Sequence, residues 1–432
     1  MGRRCLVGKS CGMLLFVCLI PLLYCCTGET EQEKLLREAL KAHKNSDYEK
    51  ALELYRALIT PTSVDRLKDL TAEQRKYKVD CPKLPLVLTN IGAVHEKMGE
   101  REKAMHSYSE AIRVDRKFTQ AFLNRAFLLV KAGEINSAVS DFSDALSIEP
   151  QNFDALYNRA ALRQSLGKLE DALDDYTKAI AADDGKRRAS VYYQRARLNE
   201  SMGNKLRALG DYSSAIERDK KNAGYYHSRA LLKLSMGREL EAKEDLSAAL
   251  NLSPNACESL FERAKLYLKL GQFADAISDL DAAIAIDSKV SKYWRERARV
   301  KIFSSNGKKL SQEGVADLGR AISLDPNDTE AYLLRAKEMK KAGKSRAAVR
   351  DYLKVLGYRP RNFEVVYSLA SLYTEIGDYK SAIIYLSDAI ELRPQDPGLY
   401  VKRGEAKQKV KDYKGALEDF DAAGRLEGGA GE

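Results

Sequence analysis

Small and bulky apolar residues recur along this chain with a period of 34, in a frame that predicts paired helices. The frame places a bulky residue at position 4, a small one at 8, Gly near 15, Ala at 20, an aromatic residue or Leu at 24, Ala at 27 and often Pro at 32. Phe122, Ala126, Gly133, Ala138, Phe142, Ala145 and Pro150 form one clear copy, and Tyr332, Ala336, Gly343, Ala348, Tyr352 and Pro360 form another. Other copies centre their position-20 alanine on Ala51, Ala104, Ala172, Ala208, Ala242, Ala276, Ala382 and Ala416. The copy beginning near Ser291 has Gly314 there and about four extra residues in the turn over 304–312. Small residues at 8, 20 and 27 let two antiparallel helices approach closely, while bulky residues at 4 and 24 fill the seam with the next pair. Gly near 15 turns the chain, and Pro at 32 ends the second helix.

This frame resembles the tetratricopeptide repeat family, which implies an all-α solenoid, a superhelix of about eleven antiparallel hairpins. The repeats are expected at residues 29–60, 85–118, 119–152, 153–188, 189–222, 223–256, 257–290, 291–328, 329–362, 363–396 and 397–426, with a flexible tail over 427–432. Residues 61–84 form an insert carrying Cys81 and Pro82, so the first hairpin is expected to sit apart from the rest. No further helix follows the last repeat in this frame, so its second helix is expected to cap the array with polar residues.

Ahead of the repeats, Arg3, Arg4 and Lys9 precede an apolar run from Cys11 to Cys26, with Cys26 and Gly28 as small residues before a cut after Gly28. That order predicts a signal peptide over residues 1–28. The run falls short of the roughly 20 residues of a membrane-spanning helix, and an uncleaved anchor over 11–26 is the alternative. The implied location is the secretory pathway, in the endoplasmic reticulum lumen or outside the cell. Five of the seven cysteines sit in this leader, leaving Cys81 and Cys257 too far apart in the array to pair.

Composition supports the helical reading and narrows the chemistry. Ten prolines, 31% charged and 44% apolar residues suit helices with one buried and one wet face. Without the leader the formal charge falls from +10 to +7, with acids interspersed, which argues against a nucleic-acid surface.

Position 7 holds Arg125, Arg159, Arg195, Arg229, Arg263, Arg297, Arg335 and Arg403, and position 23 holds Asp141, Asp175, Asp211, Asp245, Asp279, Asp317, Asp351 and Asp419. Repeats lacking the arginine (Glu38, Ile91, Leu369) also lack the aspartate (Leu54, Ser107, Tyr385). A hairpin folded near position 15 brings 7 opposite 23, so these residues read as bridges between its two helices and not as a ladder for anions.

The family resemblance implies a groove lined by the first helix of each pair, helix A, through positions 2, 5, 6, 9 and 12. One subset of the family clamps acidic C-terminal tails of cytosolic chaperones with Lys, Asn, Asn, Lys and Arg at places that here hold Leu36, Leu40, Asn90, Gln120 and Asn124. With one match in five and no cation, a carboxylate clamp is not expected. Position 6 carries Asn90, Asn124 and Asn158, followed by Gln194, which resembles the asparagine ladder in the repeats of O-linked N-acetylglucosamine transferase. A side-chain amide both donates to and accepts from a peptide backbone, so a regular row suits an extended segment of any sequence. Position 5 runs Leu123, Tyr157, Tyr193, His227, Phe261, read as an apolar and aromatic stripe on the same face. Farther along, Arg197, Lys265, Arg295, Arg299 and Lys337 at positions 5 and 9 make the groove basic.

The four histidines, His43, His95, His106 and His227, are spread over three repeats, and no metal-ligand spacing, phosphate loop or nucleophile elbow occurs, so neither catalysis nor a cofactor is expected. Asn327-Asp328-Thr329 lies between repeats and is the expected glycosylation site; Asn199 falls within a packed helix. The expected partners are other proteins or extended peptides, with no nucleic acid and no small-molecule substrate. The chain resembles the tetratricopeptide co-chaperones of the endoplasmic reticulum lumen, without their J-domain. The alternative is a membrane-anchored scaffold joining fixed protein partners.

Overall fold

The computed structural model describes residues 31–59, 83–182, 189–305 and 312–428. The expected leader, Cys81, the tail after 428 and nearly all of the insert lie outside them. The described residues form eleven helical hairpins and no strand.

The chain divides into two compact units, residues 1–182 and 183–432. In the first, the hairpins are α1 (Glu31–Lys44) with α2 (Tyr48–Ala57), α3 (Leu84–Lys97) with α4 (Arg101–Val114), α5 (Thr119–Ala132) with α6 (Ile135–Ile148), and α7 (Phe153–Ser165) with α8 (Leu169–Ala181). The second opens with α9 (Ala189–Ser201) and α10 (Lys205–Arg218), then α11 (Ala223–Ser235) and α12 (Glu239–Leu252), α13 (Cys257–Lys269) and α14 (Phe273–Ile286), and α15 (Ser291–Ser304) and α16 (Gln312–Leu324). It continues through α17 (Thr329–Lys341) and α18 (Ser345–Tyr358), α19 (Phe363–Ile376) and α20 (Tyr379–Leu392), and α21 (Pro397–Lys409) and α22 (Tyr413–Gly428). Odd-numbered helices are the A helices of their pairs. None of the helices among the described residues is long and apolar enough to cross a membrane.

Each hairpin closes on its small residues. In α5 and α6, Ala126, Ala138 and Ala145 are fully buried, and the Phe142 ring fills the seam, edge-on to Phe127 at 5.4 Å. Gly133 ends α5 at φ +80°, a left-handed conformation that an L side chain strains to adopt. Local side chains start several helices: Asn152 accepts the Ala155 amide and Asp328 the Ala331 amide, satisfying donors that a helix start leaves open. At position 8 of α3 stands Gly92, where a Cβ would lie 2.5 Å from the buried Tyr108 ring, so the small residue is what lets α4 approach.

Two expectations are corrected at the ends of the repeats. The first hairpin is not set apart: Leu36, Leu52 and Tyr55 share one core with Val87, Ile91 and Val94 of α3, and Lys83 pairs with Glu33 at 3.1 Å. Burial of apolar surface holds the two hairpins together across the insert. The last helix, α22, does not present only polar residues, because Tyr413 and Leu417 are 67% and 62% exposed.

Candidate peptide-binding groove

Asn90, Asn124 and Asn158 occupy the same place in α3, α5 and α7, three successive A helices of the first unit, and each is half-buried. The amides are partly engaged within the chain. Asn124 accepts from Gln120 Nε2 at 2.7 Å, and Asn158 donates to the Asp154 carbonyl of its own helix at 2.7 Å. The Asn90 Nδ2 has no partner and is shut off from water. That buried donor is out of reach of a strand as the side chain stands; left over among the described residues are a donor on Asn124 and an acceptor on Asn158, groups that a strand of backbone can use. Gln194 stands at the same place in α9 of the second unit, also half-buried.

The position-5 stripe is closed at two of its five residues. Leu123 and Phe261 are only 6% and 8% exposed, and Phe261 belongs to the core with Leu250, Leu260, Leu280 and Tyr293. Its ring lies 5.5 Å from that of Tyr293, whose hydroxyl is pushed up to about 12, chiefly by burial. Tyr157 is half-buried, stacked on Phe153 at 5.8 Å and edge-on to Tyr176 at 5.9 Å. Tyr193 packs against Tyr212 and Tyr225 and shares a hydrogen bond with the Ser228 hydroxyl at 3.1 Å. His227 meets the Ser259 hydroxyl through Nδ1 at 2.8 Å, and burial lowers its pKa against the opposing pull of Glu262 and Glu258. Leu123 and Phe261 therefore face the seam between consecutive hairpins as packing, while Tyr157, Tyr193 and His227 are half-buried like the Asn row and already engaged with neighbouring side chains.

Most cations expected to make the groove basic are already neutralised. Arg295 bonds Asp328 at 2.6 Å, Arg299 bonds Glu330 at 2.8 Å and Lys337 bonds Glu364 at 2.7 Å, each acid coming from the next hairpin. Lys265 pairs with Glu262 at 2.9 Å within α13. Arg197 is exposed, its guanidinium 6.0 Å from the Tyr193 ring centre. Among these groups Glu296 is buried at position 6 of α15, and burial raises its carboxyl above the usual range despite Arg299, Arg295 and Lys265. This face of the second unit is an ion-pair lattice.

All eight predicted bridges form. Each arginine donates Nε and Nη2 to the two carboxylate oxygens of its aspartate at 2.6–2.9 Å, as in Arg125–Asp141 and Arg403–Asp419. The aspartates are buried and the arginines mostly so, which suits a bidentate, charge-assisted pair. The remaining nitrogen does something that sequence reasoning missed. Nη1 of Arg125, Arg159, Arg229, Arg263 and Arg403 donates at 3.0–3.1 Å to Ser109, Ser143, Ser213, Ser247 and Ser387 of the preceding hairpin. Each guanidinium thus ties helix A to its own helix B and to the one before. The signal was present as a serine recurring at position 25.

Asn327 is exposed in the turn ahead of α17, its Oδ1 accepting from the Tyr358 hydroxyl at 2.5 Å, whereas Asn199 is 2% exposed inside α9 with Nδ2 bonded to Asp211.

Models of the tetratricopeptide repeat match residues 86–118, 142–174, 227–291 and 333–397, and a model of anaphase-promoting complex subunit 5 matches 115–156. Anaphase-promoting complex subunit 3 of Schizosaccharomyces pombe is 28% identical over 110 residues, 26% of this chain but 16% of that protein. Among solved structures, YrrB, described as a tetratricopeptide-repeat protein with an unusual peptide-binding site, is 21% identical, covering 46% of this chain and 97% of its own at a TM-score of 0.40. Yeast Tom70 is 16% identical, covering 91% and 92% at a TM-score of 0.35. With eleven hairpins closed on alanines in a 34-residue frame and family models matched in both units, the chain is a tetratricopeptide-repeat protein.

Proposed function

We propose that this protein-interaction module holds extended segments of other proteins along the A-helix face of its first unit, acting as a co-chaperone-like binder in the secretory pathway. The observation that carries the reading is the Asn90, Asn124, Asn158 row, repeating at one place in three successive A helices, with an amide donor left over on Asn124 and an acceptor on Asn158. A strand lying across α3, α5 and α7 exchanges main-chain hydrogen bonds with these amides and places no demand on its own side chains. Binding through a few neutral hydrogen bonds, each contributing about 0.5–1.5 kcal/mol net, is weak and reversible, and by themselves they reach no tighter than about millimolar. The test is an anisotropy titration of unfolded peptides against the chain and against Asn90→Ala, Asn124→Ala, Asn158→Ala together. We expect a weakening of about tenfold or more with little salt dependence; equal binding by the variant discards the row.

The leader over residues 1–28 supports a lumenal location, and Asn327 offers a test of it. Glycopeptide mapping of protein from its own host is expected to find Asn327 occupied and Asn199 empty, since transfer needs an accessible amide. An unmodified Asn327 on a chain that retains its leader favours the second reading, an anchored assembly scaffold, which the similarity to a subunit of a multi-protein complex also supports.

A further inference from the structure

One link in the arginine lattice of the second unit is missing. Position 25 of the hairpin before Arg335 is Gly319, in place of the serine that takes the third guanidinium nitrogen of five other arginines and of the Asp281 carboxylate that takes it from Arg297 at 2.6 Å. A Cβ built on Gly319 would lie 3.9 Å from Arg335 Nη1, so a hydroxyl on it would take up the bond its counterparts make. Arg335 binds Asp351 through Nε and Nη2, and no partner of Nη1 is present among the described residues.

Beside Arg335 a notch of about 490 Å³ opens between α16, α17 and α18. Val315, Tyr332 and Met339 give it an apolar wall, and Arg350 and Lys354 line it with Arg335. Arg346, Arg350 and Lys354 stand at successive turns along one face of α18, all exposed, and none forms an ion pair among the described residues. Like charges at this spacing slightly destabilise a helix. With Arg335 balanced by Asp351, the notch keeps about two positive charges, from Arg350 and Lys354, matching the −1.5 to −2 of a phosphomonoester.

We propose that this notch is a second docking point, taking a phosphorylated side chain of a partner protein whose apolar neighbour rests against Val315 and Met339. The phosphate oxygens replace the missing serine as acceptors for Arg335 Nη1 and are held by the Arg350 fork and the Lys354 ammonium. This site does not depend on the groove of the first unit.

The test titrates the full chain with a fluorescein-labelled Leu-phosphoserine-Leu peptide, its unphosphorylated form, inorganic phosphate as competitor, and vesicles bearing phosphoinositide. The phosphopeptide is expected to bind at least tenfold tighter than the serine form. Gly319→Ser, which restores the hydroxyl of the other repeats, is expected to raise the melting midpoint while weakening the phosphopeptide at least threefold. Arg350→Ala with Lys354→Ala is expected to abolish binding with helicity unchanged, and this pair decides the matter if the serine variant misfolds. Equal binding of both peptides, a preference for vesicles over the phosphopeptide, or an unmoved affinity in Gly319→Ser with folding intact would each overturn the proposal.

Discussion

Replacing Asp175 by alanine is expected to lower the stability of the first unit by about 2–4 kcal/mol, somewhat below the 3–5 of a fully buried broken pair. Asp175 is fully buried and accepts from Arg159 Nε and Nη2 at 2.9 and 2.7 Å and from Arg163 Nη1 at 2.7 Å. Its removal strands two guanidinium groups whose side chains are only 13% and 21% exposed. That residual exposure lets water solvate part of the charge, which is why the upper figure is not expected. Glu134→Ala, which breaks an ion pair with Arg101 about half exposed on both sides, should shift stability by less than about 1 kcal/mol. Urea unfolding followed by helical circular dichroism separates the two, and near-equal effects would mean that the bridges are not what holds helix A to helix B.

Phe261→Ala is expected to cost the second unit about 3–5 kcal/mol, the range for emptying a buried aromatic site. Phe261 packs with Leu250, Leu260, Leu280 and Tyr293, and Lys265 and Lys292 lie over its ring at 5.4 and 4.8 Å. A groove anchor would behave otherwise, weakening peptide binding while leaving the unfolding midpoint in place. A stable Phe261→Ala protein that has lost peptide affinity would restore the stripe as a binding surface.

The fold was legible because its signal is redundant: alanines at 8, 20 and 27 and a ring at 24 repeat through the chain, and each copy constrains the register of the next. Arg–Asp bridging was legible for a related reason, since presence and absence of the two residues coincide across repeats. The groove was harder to read. Neighbouring positions on a helix point about 100° apart, so position 6 stays half-open at Asn124 while position 5 turns inward at Leu123. Nor does one repeat tell what pairs with its charges. Arg295, Arg299 and Lys337 read as a basic surface until Asp328, Glu330 and Glu364 of the following hairpins are brought beside them. The serine at position 25 was visible as a repeat but had no meaning until the third nitrogen of the guanidinium was placed against it.

The central claim, that an extended peptide lies across the A helices of the first unit, is tested most directly by photocrosslinking. Benzoylphenylalanine at Leu86, half-buried and one turn ahead of Asn90 on α3, is expected to capture a bound unfolded peptide. The same residue at Ser140, exposed on α6, is expected to capture none. Crosslinking at Ser140, or binding that persists with no product at Leu86, would contradict the account.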